Sequence, residues 1–344
     1  MGLFMLMKRV FCLLLVLCTS CPLIWSKGYQ AQRLVGEVFN TSYHIIYEGN
    51  GEDWHDSIRV LFREFDGSLS MFNDMSILSR MNRNDQTVRA NAYVQTVVRK
   101  AQEISANTNG AFDITVAPLV NLWGFGFKNS DKVTAEAVDS IRQFVGYRKI
   151  CLDADGQLSK ADPRTQLDAS SIAKGYMCDV IGSWFRGKGV TNYMVEIGGE
   201  IALLGTNPDG KEWSVGVNVP EEDALQRVNG IMKVIHLSSG GVATSGNYRN
   251  FYYRDGKRYA HTIDPRTGYP VQQDIISSTV IAPDCLTADA YATAFMVMGY
   301  EKAMEVLAKN PTITAYFVLE DPPPCPSHKG RGVVTTIRTK GGGL

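Results

Sequence analysis

The stretch YAHTIDPRTGYPVQQDIISSTVIAPDCLTADAYATAFMVM, Tyr259 to Met298, decides how the chain folds. It opens as a strand carrying His261 and Asp264. Pro265, Thr267, Gly268, Tyr269 and Pro270 then interrupt regular structure and predict a turn. Ile276 to Ala282 is rich in β-branched residues and predicts a second strand. A helix is expected from about Leu286, with Thr287 as its N-cap. Asp289 and Thr293 are four residues apart on that helix, so they share a face one turn apart. A carboxylate and a hydroxyl so placed offer hard oxygen ligands of the kind Mg²⁺ and Ca²⁺ take. Taken alone, the pair is better explained as an acid favouring the helix dipole and an ordinary surface threonine.

Working back from this stretch, Gly240 to Gly246 (GGVATSG) is a small-residue segment expected to be a loop. Tyr193 to Gly205 (YMVEIGGEIALLG) predicts a strand pair, with Gly198-Gly199 between two glutamates where the backbone bends or comes close to a neighbour. Trp213 to Val219 and Met232 to Leu237 predict further strands. In LDASSIAKGYMCDV, Leu167 to Val180, Asp168 ends a short strand and Ser170 or Ser171 starts a helix running to about Phe185. Lys174 then lies near a helix N-terminus, against the dipole, unless an anion such as a phosphate sits there. Tyr147 to Leu158 predicts a hairpin around Asp155-Gly156. Gly110 to Gly126 is an aromatic- and glycine-rich run, suited to core packing at a bend or to a ligand wall.

Helix spacing marks Asp53 to Asp66 and Ala92 to Asn107, the latter stopped by Asn109-Gly110. Gly67 to Asn73 is expected as a turn and loop that carries Phe72. Gln32 to Tyr47 opens the body as a hairpin, Lys132 to Val145 is a connecting helix, and Tyr300 to Lys309 with Thr312 to Leu319 closes it as helix and strand. Such alternation predicts an α/β chain of mixed sheets flanked by helices.

At the N-terminus, Lys8 and Arg9 precede the apolar run Val10 to Leu17, which is too short to span a bilayer and predicts a signal peptide over residues 1–20. It ends in Cys18-Thr19-Ser20-Cys21, which resembles a bacterial lipobox and would leave Cys21 as a lipid anchor. The expected product is an exported lipoprotein, anchored to the inner membrane and facing the periplasm. Residues 21–319 then form the folded body, and the Pro-, Lys- and Gly-rich residues 320–344 a tail without packed structure. The chain has 35 basic and 35 acidic residues, so no basic excess points to nucleic acid. Cys151, Cys178, Cys285 and Cys325 show no CxxC spacing and are expected mostly as buried free thiols.

Four stretches occur in one order: GAFDITVAPLVNLWGFG (110–126), LDASSIAKGYMCD (167–179), GGVATSGNY (240–248), and HTIDPRTGYP (261–270) with TADAYATA (287–294). Together they resemble the ApbE family of FAD:protein FMN transferases, over roughly residues 33 to 319. The resemblance implies a T-fold-like core with FAD in a cleft between lobes. It implies cleavage of FAD with a divalent metal, usually Mg²⁺, and transfer of FMN to a threonine or serine hydroxyl of an acceptor protein. Some relatives instead hydrolyse FAD to FMN and AMP. By the same resemblance, Asp289, Thr293 and the Ser171 carbonyl match metal ligands. Asp168, Lys174, Ala111, Phe112, Asp113, Ile263 and the aromatic Phe72 match FAD contacts. Val38-Phe39-Asn40-Thr41 stands where the family commonly has Met-Gly-Thr, which places Phe39 at the flavin or adenine pocket. His261 and Asp264 are both candidates for the base that takes the acceptor hydroxyl's proton.

Overall fold

The computed structural model describes residues 28–125, 133–218, 231–247, 251–254 and 257–319. The predicted signal peptide, the Cys21 anchor and the 320–344 tail lie outside them.

The chain opens with β1 (Ala31–Val38) and β2 (Thr41–Glu48), and then α1 (His55–Leu69), α2 (Ile77–Asn82), α3 (Ala92–Asn107), α4 (Ala117–Leu122) and α5 (Ala135–Arg142). A small hairpin, β3 (Ile150–Leu152) with β4 (Leu158–Lys160), leads to α6 (Ala173–Gly187). Six strands follow: β5 (Tyr193–Ile197), β6 (Glu200–Leu204), β7 (Trp213–Asn218), β8 (Ile231–Leu237), β9 (Ser239–Gly246) and β10 (Phe251–Arg254). The chain then runs through β11 (Lys257–Ala260), β12 (Ile275–Ala282), α7 (Cys285–Met298), α8 (Tyr300–Lys309) and β13 (Thr314–Leu319).

Seven strands form one sheet in the order β1-β2-β5-β6-β9-β12-β13, and every pairing in it is antiparallel. The expected sheet-and-helix chain is therefore built on an antiparallel sheet. Helices α6 and α7 lie on one face, in the main core with α1 and α3. The β7–β8 hairpin covers the other face through Trp213, Val215, Val217, Ile235 and Leu237, which meet Leu203, Val242, Ile281 and Tyr316. A third small core joins α4 and α5 to Ile263.

The element at the centre is α7. Nearly every residue from Cys285 to Met298 is buried, as expected of a helix apolar on all sides. The Asp284 side chain accepts from the Thr287 backbone N–H at 2.7 Å, so Asp284, not Thr287, is the N-cap. Gly299, at φ 76°, ends the helix and opens α8.

Other expectations are corrected in the same way. Residues 240–246 are a central strand, because β9 pairs with β6 on one side and β12 on the other. Small residues suit that strand: a Cβ on Gly241 would stand 2.2 Å from the Cys285 backbone nitrogen, so only glycine lets α7 start there. Helix α6 begins at Ala173, with Ser170 and Ser171 in the preceding turn. Helix α1 runs on to Leu69, which shortens the loop before Phe72. The strand ahead of His261 ends at Ala260, so His261 and Asp264 belong to the turn rather than the strand. Cys178 and Cys285 are buried and free, whereas Cys151 is exposed.

Candidate active site

The four stretches singled out in the sequence close into one circuit of hydrogen bonds. The Asp168 N–H donates to the Ile114 carbonyl at 2.6 Å, joining the 110–126 run to the segment that leads into α6. From α6, the Gly175 N–H donates to Asp289 Oδ2 on α7 at 3.0 Å. On the same helix, Thr293 Oγ1 meets Ser245 Oγ of β9 at 3.1 Å. Just past β9, Asn247 Oδ1 accepts from the Thr262 hydroxyl at 2.6 Å, next to His261. The circuit returns when Trp123 Nε1 donates to the Gly268 carbonyl at 2.8 Å. Segments up to about 150 residues apart in sequence are thus neighbours, which no local pattern dictates.

Asp289 is the buried carboxylate of the circuit. It is 4% exposed, in the middle of an apolar helix. Burial pushes its carboxyl up, while Lys174 and the Gly175 N–H favour the charged form. Helices α6 and α7 touch backbone to backbone here: a Cβ on Gly175 would lie 2.4 Å from the Cys285 carbonyl and 2.8 Å from Asp289 Cβ. That closeness lets a main-chain N–H reach the carboxylate.

Lys174 lies beside it. Its ammonium is 2.5 Å from Glu200 Oε2, whose side chain is 4% exposed against 33% for the lysine. Burial opposes the lysine charge, but Glu200 and Asp289 together raise its pKa above the usual value. Burial, and then the Asp289 charge, push the Glu200 carboxyl up, and the Lys174 ammonium opposes them by favouring the charged form. Oε2 has no aligned hydrogen-bond donor, so the contact with Lys174 is charge against charge.

Glu200 was not singled out from the sequence. The only signal was the Gly198-Gly199 pair before it. Both glycines have positive φ, 64° and 105°, and make the tight β5–β6 turn that delivers Glu200 to the first position of β6.

The remaining predicted residues fall into three groups. Ala111, Phe112 and Ile263 are buried in cores, so only their main chain can face a ligand. Asp113 is fully committed: Oδ1 accepts from the Thr115 N–H and hydroxyl at 2.8 and 2.7 Å, and Oδ2 from the Tyr147 N–H at 2.6 Å. The side chain of Asp168 accepts from the Ser170 N–H at 2.7 Å and shapes the turn that presents the Ser171 carbonyl. A cavity of about 260 Å³ runs past Asp113, Tyr147, Pro265 and Arg266 along this side of the molecule.

Of the two base candidates, Asp264 is held by Arg266 through both carboxylate oxygens at 2.8 Å, with the Arg266 N–H on Oδ1 at 2.9 Å. It clasps the turn. His261 is half-buried, edge-on to Phe125 with ring centroids 6.5 Å apart. Phe39 sits in the β1–β2 turn at φ 51°, followed by Asn40 at 59°, a two-residue turn in which the aromatic ring packs on Phe62 and Phe65. Phe65 in turn meets Tyr176 of α6. Phe72 is 75% exposed on the loop after α1, outside the circuit.

The groups implied by the resemblance, the Asp289 carboxylate, the Thr293 hydroxyl one turn along the same helix and the Ser171 carbonyl in the turn before α6, are oxygen donors of the kind a hard divalent cation takes. Among the described residues no cluster of three or more His, Cys, Asp or Glu side chains competes for a metal.

Comparison with known proteins identifies the family. The chain is 38% identical over 300 residues to the FAD:protein FMN transferase of Haemophilus influenzae, spanning 83% of this chain and 86% of that protein. It is 37% identical over 293 residues to that of Vibrio cholerae, with 83% and 86% covered. Among solved structures, flavin transferase ApbE from Vibrio cholerae superposes with a TM-score of 0.75 at 35% identity, covering 85% of this chain and 94% of that one. The apo form of Pseudomonas stutzeri flavinyl transferase ApbE gives 0.77 at 32% identity, covering 90% and 95%. The ApbE family profile matches residues 39–317, a span that contains every link of the circuit, and the chain therefore belongs to the ApbE family.

Proposed function

We propose that this chain is an FAD:protein FMN transferase whose reaction centre is the Asp289–Lys174 corner of the circuit. The observation that carries the reading is the buried carboxylate of Asp289, fixed by the Gly175 N–H next to a lysine and a threonine hydroxyl. Asp289, Thr293 and the Ser171 carbonyl would hold Mg²⁺, and the ion would supply charge neutralisation at the pyrophosphate. Lys174 supplies a fixed positive charge to the same phosphates. The bond that breaks joins the FMN phosphorus to the bridging oxygen, and AMP leaves. The bond that forms joins that phosphorus to a threonine or serine oxygen of the acceptor protein. The hydroxyl proton goes to a base, and His261 suits the role better than Asp264, whose oxygens are occupied by Arg266. Binding and positioning supply most of the acceleration in such phosphoryl transfer.

The acceptor is a protein carrying a Thr/Ser flavinylation motif, such as an electron-transfer subunit. The Lys8 to Cys21 segment supports an exported form anchored through Cys21 on the periplasmic side of the inner membrane. The test is incubation of purified protein with FAD, Mg²⁺ and an acceptor peptide bearing Asp-x-x-Thr-Gly-Ala-Thr. Mass spectrometry should find FMN on the peptide threonine. FMN and AMP released with unmodified peptide would make the chain an FAD pyrophosphatase instead. FAD bound with no cleavage at all would make it a flavin-binding protein.

A further inference from the structure

Glu200 is the one member of the buried charge cluster to which the transfer chemistry above assigns no task. It is 3% exposed at the start of a central strand. Its place is fixed from two sides. The Gly198-Gly199 turn leaves it at the register position opposite Ile197, and its carbonyl accepts from the Cys178 thiol at 3.3 Å, one turn along α6 from Lys174. Among the described residues, the ion pair of the Glu200 carboxylate is with the Lys174 ammonium, at 2.5 Å. Such a pair is a poor stabiliser, because removing two charges from water costs about as much as their attraction returns. An apolar pair of the same volume would serve the core as well or better. The asymmetry of exposure says what the pair does instead: the carboxylate is sealed in the protein, while a third of the lysine side chain remains open. The buried carboxylate pins the ammonium of a side chain that remains partly open.

We infer that Glu200 is a positioning residue for Lys174, holding the ammonium at the place where the FAD pyrophosphate binds. Lysine is a flexible four-carbon stem with several rotatable bonds, and ordering it on ligand arrival costs affinity. A buried carboxylate at its tip removes that cost in advance. The cation also stays charged in a partly dry place, because Glu200 and Asp289 both face it. Glu200 touches no reacting atom in this scheme, and its effect reaches the ligand only through Lys174.

This inference rests on FAD being the ligand, and the experiment separates the two claims. FAD affinity is measured by flavin fluorescence quenching in EDTA, so that no metal or turnover contributes, for wild type, Glu200→Gln, Lys174→Met and the double variant. Wild type is expected to bind FAD; if it does not, the transferase reading fails first. Given binding, Glu200→Gln is expected to weaken FAD about tenfold, the loss of one charge-assisted contact. Lys174→Met should weaken it at least as much, and the double variant no further than Lys174→Met alone. Unchanged or tighter binding by Glu200→Gln overturns the inference, as does a double variant whose losses add. Glu200→Asp is the second variant should the amide not fold. It keeps the charge but draws it back by one methylene, and is expected to bind FAD more weakly than wild type with the same non-additivity. A merely structural glutamate would lower the melting temperature and leave the cycle additive.

Discussion

Asp289 has its charge held in a helix with almost no water around it, and one main-chain N–H and one lysine oppose the cost. Removing the charge while keeping the shape isolates what that charge does. If Asp289 holds Mg²⁺ as proposed, Asp289→Asn is expected to lower FMN transfer by at least ~100-fold, since a bound cation contributes several kcal/mol. Mg²⁺ is then expected to raise the melting temperature of the wild type and not of the variant, as measured by differential scanning fluorimetry. His261 and Asp264 separate at this scale too. His261→Gln should drop kcat by about 10²–10⁴-fold with FAD affinity unchanged, the signature of a lost proton acceptor. Asp264→Asn breaks the clasp on Arg266 and should show mainly as a loss of roughly 1–3 kcal/mol in urea unfolding. A kcat loss in Asp264→Asn as large as that in His261→Gln, with stability intact, would reverse the two roles.

At the scale of elements, the site depends on how closely α6 and α7 approach. Gly175 is the contact, and no larger residue fits between the Cys285 carbonyl and Asp289. Gly175→Ala would ordinarily favour a helix by up to ~1 kcal/mol. Here it must push two buried helices apart, so a net loss of about 1–3 kcal/mol is expected from chemical denaturation. The carboxylate would then lose its N–H partner, and Mg²⁺ affinity should fall together with stability. A stabilised variant would show that the helices have slack that their buried packing does not suggest. The β9 strand carries the same logic. Its glycines are poor strand formers, yet they are what the start of α7 needs beneath it.

For the molecule as a whole, the consequence of its buried acids is an unusual pH profile. Asp179 on α6 accepts from the Cys285 and Leu286 N–H groups at 2.9 and 2.7 Å, and burial raises its carboxyl from 3.8 to about 7. Burial pushes Asp113 the same way. The folded state therefore keeps protons that the unfolded chain gives up above pH ~4. With fewer protons on the unfolded state, stability falls as pH rises between about 4 and 7. For Asp179 alone the full effect is on the order of 4 kcal/mol, at ~1.4 kcal/mol per pKa unit. Below that window the partly exposed Asp85 and Asp162, held at about 2 by hydrogen bonds from Thr87 and Arg164 respectively, lose the support of those hydrogen bonds as they protonate. Urea unfolding in EDTA should thus find the protein more stable at pH 5 than at pH 8, and Asp179→Asn should flatten the slope. A rise in stability from pH 5 to 8 would contradict this account of the core.

Local chemistry determined a good deal of this. Ala92–Asn107 is a helix because its apolar residues recur at helical spacing and Asn91 caps it. The pairing of Asp289 with Thr293 on one face follows from the helical repeat, and the order of the four stretches is enough to name the family. The tertiary structure decided what depends on distant neighbours. Asp284 and Thr287 are both good capping residues; the helix starts at Cys285, where Asp179 of α6 accepts from the Cys285 and Leu286 N–H groups, and the aspartate is the cap. GGVATSG carries loop composition and becomes a central strand because two partners pair with it and a helix end rests on it. Trp123, about 145 residues away, reaches the turn that carries Asp264 by donating to the Gly268 carbonyl. Glu200, a single acid after two glycines, becomes part of the site only when the sheet and α6 bury it against Lys174. Backbone propensity and side-chain spacing act over a few residues, whereas burial, charge pairing and strand partnership act between segments that the sheet order alone brings together.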